Sequence, residues 1–71
     1  KINKNVTFFE NYDDILNNED KIDNYDKFDV NTTKIKSGNT VEILEDKGQF
    51  IKIKFGPTRG WIRKVDLSSP L

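Results

Sequence analysis

An all-β fold, a small five-stranded barrel whose long acidic first loop carries one or two short helical turns, is what this sequence predicts. Three observations lead there. Ile51, Ile53 and Phe55 alternate with Lys52 and Lys54 across residues 49–55, which is the period of a half-buried strand. Glycine-bearing turns recur at 36–39, 46–48 and 56–60, close enough together to join short strands. The run Gly60-Trp61-Ile62-Arg63-Lys64-Val65-Asp66-Leu67 spaces its apolar residues as a closing strand followed by a single helical turn would.

Taken in chain order, residues 5–9 read as an initial strand with Val6 and Phe8 on one face. In the long loop over 10–29, Tyr12, Ile15 and Leu16, then Ile22, Tyr25 and Phe28, fall at spacings of three and four that fit helical turns. Asn11 and Asp13 are candidate N-caps for a turn of helix over 14–18. Burying those six large apolar side chains is favourable, so the loop is expected to be pinned down by them. A strand over 30–36 runs into the turn Lys36-Ser37-Gly38-Asn39, and a strand over 40–45 follows with Val41 and Ile43 on its inner face. Asp46-Lys47-Gly48 turns the chain into 49–55, where glycine supplies the positive φ that a tight hairpin needs. Residues 56–60 form the next turn and Trp61-Ile62 the last strand. As a core residue Trp61 would pack on Phe55, Ile43 and Val41; as a ligand wall it would stand partly exposed beside Tyr12, Tyr25 or Phe50.

With 71 residues the chain has room for one domain, residues 1–71, with the 10–29 loop inside it. A domain of this size buries only about 60% of its unfolded surface, so a single core must suffice. Hydrophobic and charged residues each make up 34%, polar for a globular domain yet above the composition of a disordered chain. The absence of Cys and His removes disulfides, thiolate metal sites and the commonest acid–base catalyst, so neither an enzyme nor a cofactor is expected. No apolar run approaches the length of a membrane span. The start at Lys1 and the lack of Met are what a segment of a longer chain would show, with any export signal upstream.

The zero net charge conceals two opposed halves: residues 1–33 hold eight carboxylates against four lysines, and residues 34–71 reverse those numbers. The simplest expectation is a solvated acidic loop beside outward-facing strand lysines; the alternative is an acidic loop docked over the basic face. Asp20, Asp23 and Asp26 recur every third residue without the alternation and central glycine of a calcium loop, so no metal site is expected. Neighbouring carboxylates such as Asp13 and Asp14 offer no pocket for acid–base work. Lys52, Lys54, Arg59, Arg63 and Lys64 around Trp61 have the make-up of a nucleic-acid surface, but zero net charge argues against phosphate binding.

From Lys34 onward the order Lys-Ile-Lys-Ser-Gly38, Val41-Glu-Ile-Leu-Glu45, Gly48-Gln-Phe-Ile-Lys-Ile-Lys54 and Gly60-Trp-Ile-Arg-Lys-Val-Asp-Leu67 resembles a bacterial Src-homology-3 domain. The likeness covers about half of the chain, and its most specific element is Gly60-Trp61 with Leu67. Phe50 stands where such domains commonly carry Trp, and the first loop is longer and acidic where many members show an Asn-Val-Arg-x-Gly-Pro sequence. Arg63 replaces the proline, and Val65-Asp66 the Asn-Tyr pair, of the relatives that bind proline-rich peptides, so the aromatic walls for a polyproline helix are incomplete.

The resemblance implies a noncatalytic binding module of a bacterial envelope or secreted protein, located at the cell envelope or outside the cell. Its expected partner is a protein or peptide, with a basic peptide favoured by the acidic loop. The expected groove is bordered by the 10–29 loop, the 46–48 turn and the Trp61 edge, with Tyr12, Tyr25, Phe50, Trp61, Asp13, Asp14, Glu19 and Asp20 as candidate ligand contacts. Attachment to peptidoglycan, and a structural role docked on a neighbouring domain of the same chain, are the alternatives.

Overall fold

The computed structural model describes Ile2 and residues 5–24 and 27–67. In chain order it contains strand β1 (Val6–Phe9), helix α1 (Tyr12–Asn18), a 3₁₀ turn (Glu19–Lys21), and strands β2 (Thr32–Ile35), β3 (Glu42–Asp46), β4 (Phe50–Phe55) and β5 (Thr58–Arg63). A second 3₁₀ turn follows at Lys64–Asp66. All five strands belong to one antiparallel sheet in the order β2-β1-β5-β4-β3. Among the described residues β2 and β3 are edges, so the sheet is open where closure into a barrel was expected. The fold is mostly β with one short helix. No helix among the described residues is long and apolar enough to cross a membrane.

The best-defined unit is the hairpin of β4 and β5. Its register runs from Phe50 opposite Arg63 to Phe55 opposite Thr58, which leaves only Gly56 and Pro57 in the turn. Gly56 has φ of 60° and the Pro57 ring fixes a negative φ after it, the combination of a type II′ turn whose twist matches the strands. The expected turn over 56–60 is therefore two residues long, and Thr58, Arg59 and Gly60 belong to the strand.

β3 departs furthest from its expectation. It starts at Glu42 where a strand over 40–45 was expected, all five of its residues are exposed, and Ile43 is 54% accessible. Pairing steps from Ile43 opposite Ile53 to Glu45 opposite Lys52, so Leu44 is an extra residue in a bulge. A bulge and the flanking Glu42, Glu45 and Asp46 are what keeps an edge strand from recruiting another strand. Val41, just ahead of the strand, is half-buried against the core.

Adjacent residues of a strand point to opposite faces, and here both faces are covered. On one, Val6 and Phe8 of β1, Ile35 of β2, Ile51 and Ile53 of β4 and Ile62 of β5 meet Ile2, with Val41, Phe55 and Leu67 packed at the margin. On the other, Phe9, Phe50 and Trp61 are covered by Ile15 and Ile22 of the long inserted segment, with Tyr12, Phe28 and Val30 against them. Trp61 stands opposite Lys52, whereas Ile53 faces Gly60, so Trp61 points away from Ile43, Val41 and Phe55. Its partners are those of the inserted segment, contrary to the expected packing. Ile2 tethers the first face: it bridges Leu67, donates its N–H to the Asn39 carbonyl at 2.9 Å and accepts from Gly38 N–H at 2.8 Å.

Candidate functional site

Helix α1 begins at Tyr12 because Asn11 is extended at its N-cap, and the Asn11 carbonyl accepts the N–H groups of Asp14 and Ile15. The Asn11 side chain does not cap; its amide donates to the Asp14 carboxylate at 3.2 Å. Asn18 closes the helix by donating its side-chain amide to the Asp14 carbonyl at 2.8 Å. With 3.6 residues per turn, Ile15 and Leu16 lie about 100° apart around the helix, so the sheet covers them unequally. Ile15 is fully buried and Leu16 is 43% exposed.

The insertion is docked through its apolar side chains, as their spacing predicts, while most of its described carboxylates stay exposed to water. Tyr12 lies 4.6 Å from Trp61 and 6.0 Å from Phe50 between ring centroids, and Phe28 meets Phe9 at 5.0 Å. Arg63 then clasps the insertion electrostatically. Its terminal nitrogens donate to both carboxylate oxygens of Asp23 at 2.8 and 3.1 Å, and its Nε donates to Asp66 at 3.2 Å. A guanidinium forked over two carboxylates is a geometry that Lys cannot reproduce. The hydrogen bonds to Asp23, then those to Asp66, raise the Arg63 pKa against the opposing pull of burial.

A cleft of about 690 Å³ opens between this insertion and the far end of the β4–β5 hairpin. Leu16, Glu19 and Asp20 form the insertion side, Arg63, Lys64 and Val65 the opposite side, and Gly48, Gln49 and Phe50 also line it. Val65 is 73% exposed, so the cleft has an accessible apolar residue on each side. The groove expected between the 10–29 loop, the 46–48 turn and the Trp61 edge shares Gly48 and the insertion with this cleft, while Trp61 is not among the lining residues.

Of the candidate contacts, Glu19, Asp20 and Phe50 line this cleft. Phe50 is 2% exposed and Trp61 6%, so both serve chiefly as packing under the insertion. Tyr12 is half-buried between them and its ring carries Lys47 Nζ at 5.3 Å. Asp13 is exposed and Asp14 half-buried on α1, and neither lines the cleft. Tyr25 lies outside the described residues. The lining residues not anticipated as contacts are Leu16, Gly48, Gln49, Arg63, Lys64 and Val65. Leu16 was detectable in principle, as the apolar neighbour of Ile15 turned about 100° from it around the helix.

The turn beside the cleft is held by Asp46. One carboxylate oxygen accepts the Gly48 N–H at 2.7 Å and the other accepts Lys64 Nζ at 3.1 Å. The Gly48 N–H first, and Lys64 second, hold the Asp46 carboxyl below the usual carboxylate range. A lowered folded pKa means that the unfolded chain takes up the proton more readily, so the contribution is present above the unfolded value of about 4 and is lost as pH falls through the folded value. Asp46→Asn is expected to flatten the acid limb of the stability curve. Urea denaturation of both proteins at pH 6 and pH 3 checks this, and equal acid losses would remove Asp46 from the explanation.

The fold and the cleft define a mostly β domain whose sheet carries a docked, helix-bearing insertion, with a two-sided surface concavity where insertion and hairpin meet. Comparison with family models, with curated proteins and with solved structures finds no match.

Proposed function

We propose that this chain is a noncatalytic binding module that takes a segment of a partner protein, or a free peptide, into the cleft between its insertion and its β4–β5 hairpin. The observation that carries this reading is the pairing of exposed Leu16 and Val65 on the two sides of one concavity. Arg63 ties the insertion to the hairpin side through Asp23, and Lys64 bonds Asp46 within the hairpin side.

The wider reading is an Src-homology-3-like barrel appended to a bacterial envelope or secreted protein. The meander of β3, β4 and β5, the 3₁₀ turn following Trp61, and the bridge that sets Ile2 beside Leu67 support it. The incomplete aromatic set for polyproline ligands and the burial of Trp61 and Phe50 favour a ligand other than a proline-rich helix.

Nuclear magnetic resonance titration with a randomised pool of short soluble peptides is the test. Resonances of Leu16, Gln49 and Val65 are expected to move together. Shifts confined to the Ile35 and Ile51 face would sink the cleft as the binding site. Retention on purified peptidoglycan at low salt, without peptide-induced shifts, would assign the module to wall attachment.

A further inference from the structure

Resting on the reading of the cleft as a peptide site, we infer that its ligand is a segment bearing lysine or arginine beside an apolar residue, and that Glu19 and Asp20 are the residues that select it. The charges around the cleft are unequally committed. Arg63 is engaged by Asp23 and Asp66, and Lys64 by Asp46, so each cation of the lining already has a carboxylate partner within the chain. Glu19 and Asp20 are exposed, line the cleft, and make no ion pair with any described residue. Counting the charged lining residues and their ion-pair partners, Glu19, Asp20, Asp23, Asp46 and Asp66 stand against Arg63 and Lys64. An arriving cation therefore meets an attractive field, and an arriving carboxylate or phosphate meets cations that are already occupied.

The apolar requirement comes from Leu16 and Val65. A lysine or arginine side chain combines both chemistries, because its methylene stem covers apolar surface while its charged head remains at the water boundary. Other carboxylates do not compete for this role. Asp13 and Asp14 lie outside the lining, and Asp23 and Asp46 are held by Arg63 and Lys64. Selection thus falls to the short 3₁₀ turn Glu19–Lys21, placed at the rim by the burial of Ile15 before it and Ile22 after it. Exposed rim charges contribute modestly, so the preference should be severalfold and should shrink with salt.

The experiment uses an acetylated, amidated peptide, Gly-Ser-Leu-Lys-Lys-Leu-Ser-Gly, and its counterparts with Gln or Glu in place of both lysines, titrated into the labelled protein at low and high salt. The Lys peptide is expected to shift Leu16, Gln49 and Val65 and to bind about fivefold more tightly than the Gln peptide, with the Glu peptide weakest. The double variant E19Q/D20N should keep the spectrum of the folded domain, since neither carboxylate bonds to it, and should bind the Lys and Gln peptides alike. Equal binding of those two peptides by the unmodified protein, or an undiminished preference in E19Q/D20N, overturns the charge assignment while the cleft reading stands. Shifts that bypass Leu16, Gln49 and Val65 with every peptide overturn both.

Discussion

Trp61→Ala is expected to cost about 3–5 kcal/mol, the usual range for deleting a large buried aromatic side chain. At about 0.05–0.15 kcal/mol per residue, a domain of 71 residues has about 4–11 kcal/mol in all, so the substitution removes a large share of it. The position explains the size of the effect. Trp61 is 6% exposed, lies opposite Lys52 on β4 and Phe9 on β1, and touches the insertion through Tyr12 at 4.6 Å. Removing the indole opens the second core at its centre, so Ile15, Ile22 and Phe28 lose the surface against which the insertion is folded. Amide exchange should accordingly accelerate in α1 more than in β4, because the opposite face retains Ile51, Ile53 and Ile62 with Phe8. Urea denaturation gives the energy and exchange gives the place. A loss under about 1 kcal/mol, the level of a surface change, would refute the role of Trp61 as the anchor of the insertion.

That anchor also marks where the sequence could be read and where it could not. The alternation in 49–55 and the Gly56-Pro57 dipeptide identify a hairpin by local chemistry alone, and the hairpin is there. The helical turn around Ile15 was legible for the same reason, since spacing three and four apart is a local signal. Which sheet face an apolar residue covers is a tertiary property. Val41 and Ile43 alternate as cleanly as Ile51 and Ile53, yet Ile43 is 54% exposed because β3 has a neighbour on one side only and a bulge interrupts its register. Periodicity reports two faces without saying that an insertion will cover the second one.

The cleft divides in the same manner. Glu19 and Asp20 could be marked from composition because an acidic segment beside a predicted turn is visible in one dimension. The clasp of Arg63 to Asp23 joins residues 40 positions apart, and only the docking of Tyr12 and Ile22 brings them together. Val65 became a wall residue because Asp66 turns inward, 1% exposed, to meet Arg63, which leaves its neighbour in the 3₁₀ turn facing water. The acidic segment 10–29 motivated the expectation of a groove, while the chemistry of the cleft's sides depends on how that segment folds onto the sheet.

Gly60→Ala is the second large expected effect, and its cause differs from that of Trp61→Ala because a group is added where there is no space. Gly60 has no positive φ, so backbone conformation does not demand glycine at this position. A Cβ there would overlap the Phe9 carbonyl oxygen of β1 and would stand 2.9 Å from the Phe8 ring. The ring is a side chain that could shift, though Phe8 is fully buried and shifting it disturbs the first core. The carbonyl is backbone in the strand next to β5, and relieving that contact means separating the β1 and β5 strands near the Phe9–Trp61 pair. Overpacking of this kind costs about 1–3 kcal/mol when side chains can yield and more when backbone must move, so Gly60→Ala should fall at or above the upper figure. A double-mutant cycle separates the two obstacles. Phe8→Leu removes the ring edge and should recover part of the loss caused by Gly60→Ala, while the part due to the Phe9 carbonyl remains. Full recovery would place the obstruction in the ring alone, and no recovery would place it in the backbone alone. An unaltered urea midpoint for Gly60→Ala would mean that β1 and β5 do not approach as closely as the register of Phe9 and Trp61 requires.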